Sequence, residues 1–320
     1  MALSMTSGEE PWVSVVTPAY NEGRYIAECI ESVLCQTYSH WEHIIVDNCS
    51  TDDTLQIARH YAARDPRIRI VTNDSFVPVI ANYNLAFRQV SHESKYCQLV
   101  AADDWIYPDC LEKMTCLAEA HPNVAIVGAY KFVGTRLDRS GLLFPTTVAS
   151  GREVCRSYLS TGGPCLFGGL LFRADIVRSR HAFFNERHLH ADVEVCLEFL
   201  EHYDFGFVHQ ILGFVRKHEE SLSAQARSIN LHMPNMLDML RTFGPKYFDD
   251  EELKYCIRTH MNAYYTVLGS KLGRRRGGEF WSFHRKRLTE LNHPMNSARV
   301  FIHALLYAIE RSAFHLRRQV

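Results

Sequence analysis

The chain has 320 residues, 47% of them apolar and 22% charged, ordinary proportions for a folded globular protein that exclude wholesale disorder. The formal net charge of −1 hides a division: residues 271–320 hold 11 Lys+Arg against 3 Asp+Glu, so a basic C-terminal segment follows an acidic body, which points to an anionic surface as partner. No aromatic platform or basic groove marks a nucleic-acid binder, no run of about 18 apolar residues marks a membrane span, and the polar tail over residues 1–10 has no secretory pattern, so a cytoplasmic location is expected.

In chain order, Val13 to Thr17 predicts a strand and Arg24 to Leu34 a helix, because Ile26, Ile30, Val33 and Leu34 share one stripe. His43 to Val46, Ile68 to Val71, Tyr96 to Val100 and Val124 to Ala129 repeat the strand pattern. Thr54 to Arg64, Ile80 to Val90 and Leu111 to Ala120 repeat the helical one between them. This β-α-β alternation implies an α/β fold with a mostly parallel sheet flanked by helices, and ligands at the carboxyl ends of its strands. Residues 134–169 accumulate Gly, Pro, Ser and Thr and predict a loop-rich connection. A helix is expected over Val193 to Leu200, an apolar run covers Phe205 to Val215, and beyond Ser223 the pattern is helical. GRRRGG at 273–278 breaks that pattern ahead of a last amphipathic stretch. Ten cysteines scattered through these elements without a CxxC pair predict reduced core thiols.

Four places hold residues able to do chemistry. Asp47 ends the run Ile44-Ile45-Val46, where a carboxylate can accept from a nucleobase N–H or a ribose hydroxyl; the plainer reading is a turn or cap. Asp103 and Asp104 end another apolar strand, and two adjacent carboxylates repel unless a cation intervenes, which suits a hard divalent ion as well as a solvated loop. Asp192 precedes the apolar face that starts at Val193 and reads alone as a helix cap. His218, in Arg216-Lys217-His218-Glu219-Glu220-Ser221, reads alone as a surface histidine.

Taken together, Val13-Ser14-Val15-Val16-Thr17-Pro18-Ala19-Tyr20-Asn21-Glu22, Ile30 to Tyr38, Ile44 to Thr54 with its DxxSxDxT pattern, Asn82 to Ala86 and Ala102-Asp103-Asp104-Trp105 resemble the inverting family-2 glycosyltransferases of the GT-A fold. The resemblance spans about two-thirds of the chain. It implies a GT-A-like domain over residues 11–225, followed by a helical, basic and amphipathic region over 226–320. It also implies transfer of a sugar from a UDP- or dTDP-type donor to a glycan, lipid-linked or other hydroxyl acceptor in polysaccharide assembly, dependent on Mn²⁺ or Mg²⁺. Carried over by position, Pro18, Tyr20, Glu22 and Asp47 surround the base and ribose, Asp103 holds ribose or metal, Asp104 holds the metal, Asp192 is the catalytic base and His218 completes the metal shell. Ala101, Ala191 and Asn48 depart from the family pattern at positions where acidic residues are common.

Two other activities compete with this expectation. A relative that binds nucleotide or a partner without catalysing transfer would share most of these motifs. A sugar-phosphate nucleotidyltransferase would bring a Gly- and Arg/Lys-rich loop after the first strand, where this chain has Pro18-Ala19-Tyr20-Asn21-Glu22-Gly23. At the other end, Val300 to Ile309 predicts a helix lying on the inner face of a membrane. Phe301, Leu305, Ala308 and Ile309 would face the lipid, Arg299, His303 and Glu310 the polar side, with Arg274 to Arg276, Arg285 to Arg287, Arg311, Arg317 and Arg318 adding positive charge.

Overall fold

Strand β1 (Val13–Ala19) is buried along its whole length, Ser14 and Thr17 included, as a parallel strand covered on both faces is. The computed structural model describes residues 10–164, 166–187, 190–219, 222–272 and 278–316. Arg274 to Arg276, Arg317 and Arg318 and most of the polar tail lie outside them. After β1 come α1 (Ile26–Leu34), β2 (Trp41–Asp47), α2 (Thr54–Ala62), β3 (Ile68–Thr72), α3 (Val79–Phe87) and β4 (Tyr96–Leu99). β1 lies between β2 and β4, with β3 outside β2, and all four run parallel. The register sets Ala19 beside Asp47 and Asp47 beside Thr72, so three strands end level and the loops after them share one edge.

Two local features follow from chemistry at that edge. Pro18 lies past Val16, the last β1 residue that β4 pairs, on the side where the ladder has already ended, so its missing N–H costs no sheet bond. The helix expected from Arg24 starts instead at Ile26, because Glu22 O accepts the amides of both Tyr25 and Ile26 and closes a turn first. α1 then buries Ile26, Cys29, Ile30 and Val33 against the sheet.

The second half of the sheet comes from β5 (Trp105–Ile106), α4 (Cys110–Ala120), β6 (Val124–Val133), β7 (Arg136–Asp138), β8 (Val148–Ser150), α5 (Gly151–Thr161), β9 (Leu171–Arg173), α6 (Ala174–Arg178), α7 (Ala191–Phe199) and β10 (Asp204–Val215). The main order is β3-β2-β1-β4-β9-β6-β10-β5. β9 joins the halves by pairing antiparallel with both β4 and β6, and β10 runs parallel to β6, so the sheet is mixed with helices around it.

The stretch 134–169, expected as loop, is corrected by β7, β8 and α5. Ser150 Oγ accepts the Glu153 amide at 3.3 Å as the α5 N-cap, and Gly162, at φ 85°, ends the helix in the left-handed conformation. Gly151 opens α5 because nothing larger fits: an added Cβ would stand 2.1 Å from Tyr203 O and 2.2 Å from Leu200 O, both backbone. Gly151→Ala is expected to lower unfolding stability by about 1–3 kcal/mol, read as a lower midpoint in thermal denaturation. An unchanged midpoint would show that α5 can shift away from those carbonyls.

The chain divides into two compact units between Lys217 and His218. The second is helical, as expected beyond Ser223: α8 (Leu222–Ser228), α9 (His232–Thr242), α10 (Gly244–Tyr247), α11 (Asp250–Lys271), α12 (Gly278–Glu290) and α13 (Ser297–Leu316). A capping box of Asp249 and Glu252 starts α11. Leu237, Met261, Tyr264, Leu268 and Leu288 are the centre of this unit's core. Nine described cysteines are all free thiols, five of them buried. Among the described residues, no helix is long and apolar enough to cross a membrane.

Candidate active site

The level strand ends supply a crevice. Asp47 closes β2 and is 2% exposed; its Oδ2 accepts the Ser50 amide at 3.2 Å, while its buried Oδ1 has no partner. The turn role and an open acceptor thus coexist in one carboxylate. The loop after β1 is tied to the loop after β2: Asn21 N–H donates to Ser50 Oγ at 3.0 Å, Glu22 N–H to Thr54 Oγ1 at 2.7 Å and Gly23 N–H to Asp52 Oδ2 at 2.9 Å. Tyr20, half-exposed, reaches over this edge with its ring 4.8 Å from that of Phe76, an exposed aromatic that the sequence reading did not single out. Asn48 explains its own departure from the family's acid. Its Oδ1 accepts from Val77 N at 3.0 Å and Asn73 Nδ2 at 2.9 Å, and its Nδ2 donates to Val77 O at 2.8 Å, a bond that a carboxylate could not make.

The carboxylates form a second group. Asp103 and Asp104 follow β4, and Asp104 Oδ1 accepts the Arg216 amide at 2.8 Å. Arg216 also donates through Nε to Asp103 O at 3.0 Å and through Nη2 to Glu28 Oε2 at 2.6 Å, with its guanidinium 4.4 Å from the Tyr25 ring. Burial and the neighbouring Asp103 push Asp104 up to about 8, against the pull of the Arg216 amide and the charges of Lys131 and Arg216. Asp192 is not a helix cap. His190 holds that position, and Asp192 sits in the first turn of α7 with Oδ1 accepting the Val193 amide at 2.9 Å. Burial pushes it up to about 6, with Lys131 pulling downward.

Tyr83 of α3 marks how these groups converge. Its hydroxyl is raised first by burial and then by the charges of Asp103, Asp104, Asp192 and Glu22, so four acids from three separate segments act on one ring. Lys131, missed in the sequence as a single charge inside an apolar strand, is 6% exposed and acts on both Asp104 and Asp192. Its ammonium donates to Phe167 O and, at 2.9 Å, to Gly168 O. Gly168 and Gly169, at φ 64° and 69°, adopt the left-handed backbone of the segment that carries those carbonyls. The Gly-Gly pair was the one sequence signal that could have drawn attention there.

Among the described residues, no three or more His, Cys, Asp or Glu side chains form a ready-made metal cluster. The Asp103–Asp104 pair nonetheless fits a hard divalent ion: Asp104 is held high by burial and by the neighbouring Asp103 charge, which a cation would offset, and such ions take one or two protein carboxylates and complete their shell with phosphate and water. His218 begins the second unit.

The sequence model of Glycosyl transferase family 2 matches residues 14–175. EpsE of Bacillus subtilis (strain 168), a glycosyltransferase by name, is 30% identical over 238 residues, 73% of this chain and 81% of EpsE. The chondroitin synthase of Escherichia coli is 34% identical over 140 residues, 44% of this chain and 20% of that protein. Among solved structures, S. aureus TarS 1-349 in complex with UDP-GlcNAc is similar with a TM-score of 0.66 at 16% identity, over 88% of this chain and 80% of that one. The mannosyltransferase PcManGT from Pyrobaculum calidifontis, in complex with GDP-Man and Mn²⁺, is similar with a TM-score of 0.55 at 16% identity, over 94% and 91%. At these identities the structural likeness establishes the GT-A fold.

Proposed function

Because the chain belongs to glycosyl transferase family 2, we propose that it moves a sugar, with inversion, from a UDP- or dTDP-type donor to an acceptor hydroxyl in polysaccharide or glycan assembly. The observation that best supports this reading is Asp192, a carboxylate pushed up to about 6 that shares the surroundings of Tyr83 with Asp103, Asp104 and Glu22. Such a group is ionised at neutral pH yet basic enough to draw a proton from an alcohol. The resemblance to a chondroitin synthase supports the assembly of a glycan chain.

In this reading the open Asp47 Oδ1 accepts an N–H of the base or a ribose hydroxyl, Tyr20 and Phe76 cover the base, and Pro18 and Glu22 complete the wall. Asp103 and Asp104 would hold Mn²⁺ or Mg²⁺. Bound there, the ion supplies positive charge to the leaving diphosphate. Asp192 takes the acceptor proton while the acceptor oxygen bonds to the anomeric carbon and the bond from that carbon to the diphosphate breaks. Attack from the opposite face inverts the centre without a covalent enzyme intermediate. Lys131 keeps positive charge near Asp192 and so favours its ionised form.

Thermal-shift measurements against UDP-, dTDP- and GDP-sugars with Mn²⁺ test the donor. A matching donor at a hundred times its Kd is expected to add about 2.7 kcal/mol of stability. A panel that never moves the midpoint would falsify the donor reading, whereas a shift without transfer to any acceptor would favour the non-catalytic relative.

A further inference from the structure

Helix α13 is attached to α11 by an unusual choice of residues. Val300 is buried, and Ala304 lies against Gly269, where an added Cβ would come within 2.6 Å of Ala304 N, so the two backbones nearly touch. Arg299 Nη2 donates to Asn262 Oδ1 at 2.7 Å with its guanidinium 4.3 Å from the Tyr265 ring, and His303 Nδ1 lies 3.0 Å from Thr266 Oγ1. Arg299 and His303, expected on the helix's polar side, face α11. The residues turned outward are Phe301, Ile302, Leu305, Leu306 and Ile309, each between 51% and 64% exposed. Their spacing places all five on one face, the reverse of a helix that buries its apolar stripe in its own chain.

We propose that this face of α13 docks the protein on an anionic lipid surface, lying in the interface rather than crossing it. Charge selects the occupant. Residues 271–320 carry 11 Lys+Arg against 3 Asp+Glu, and Arg285 and Lys286 of α12 are exposed. A second copy applied to the same face would bring two equally basic segments together, whereas anionic headgroups supply the opposite charge beside an apolar layer that accepts the five side chains. The inference stands apart from the donor and from the chemistry of transfer.

Co-sedimentation of the full chain with phosphatidylcholine vesicles, with and without phosphatidylglycerol, tests it at low salt. Binding is expected only to the anionic vesicles. The double variant Leu305→Glu, Ile309→Glu is expected to partition at least about tenfold less with an unchanged thermal midpoint, because both side chains point away from the protein. Phe301→Trp gives a readout independent of that variant: its emission should shift to the blue and be quenched by brominated lipid. No binding by the wild type, equal binding by the double variant, or an unresponsive Trp overturns the proposal. A dimer in lipid-free solution that the double variant disperses would assign the face to a second copy instead.

Discussion

Asp192→Asn is expected to lower kcat by about 10²–10⁴ while leaving donor affinity within a few-fold of wild type, since an amide fills the same space but cannot take a proton. Single-turnover transfer beside donor titration separates the two quantities, and near-normal turnover would remove Asp192 from the mechanism. The pH profile adds a sign. With the carboxyl pushed up to about 6, wild-type kcat should fall as pH drops through 6 and the base becomes protonated. Lys131 pulls that value down, so Lys131→Gln should move the acid limb to higher pH, a displacement that general loosening of the fold would not produce. The same raised carboxyl opposes folding: between the ordinary carboxylate range and about 6, the folded chain holds a proton that the unfolded chain has released, so stability declines as pH rises through that window. Asp192→Asn should therefore be at least as stable as wild type at neutral pH.

Chelation of divalent ions is expected to cut transfer by at least about 10², with recovery on adding Mn²⁺, because the cations near Asp104 are already engaged, Lys131 by Phe167 O and Gly168 O and Arg216 by Asp103 O and Glu28, so a divalent ion is what would meet the charge of the leaving diphosphate. Asp104→Ala should weaken donor binding mainly when Mn²⁺ is present. Since burial and Asp103 push Asp104 up to about 8, protons compete with the ion, and apparent Mn²⁺ affinity should strengthen as pH rises towards 8. Full turnover in excess chelator would exclude the metal role and leave the carboxylate pair to the binding of the donor alone.

The first four strands were legible as short runs rich in Val and Ile, and in β1 and β2 the burial of both faces leaves few polar residues to break the run, Ser14 and Thr17 among them. The helices between them declared their apolar stripes, with errors of one to three residues at the ends. β7, β8 and β9 were illegible: three residues each, they have no pattern of their own, β7 being defined by its hairpin with β6 across Gly134 and Thr135, and β8 and β9 by antiparallel partners distant in sequence. α5 was different, for Ser150, Glu153 and Gly162 announced its two ends and only the surrounding Gly- and Pro-rich composition hid them. At the site, the motif residues Asp47, Asp103, Asp104 and Asp192 could be singled out one by one. That four acids gather around Tyr83, or that Lys131 stands buried near two of them, depends on contacts between segments that no local spacing encodes.

The two halves of the sheet also differ in when they can form. Residues 12–99 build β1 to β4 from neighbouring β-α-β units, whereas β5 and β6 wait for β10, whose pairing with Trp105 and Ile106 spans more than a hundred residues. At synthesis rates of about 5–20 residues per second, the interval between emergence of β6 and of β10 is roughly 4–15 s. During it the apolar edge of β6, from Val124 to Val133, has no permanent neighbour on that side. The chain must therefore be born with half a sheet exposed, and its yield in a cell depends on how well that one edge is shielded before the last strand arrives.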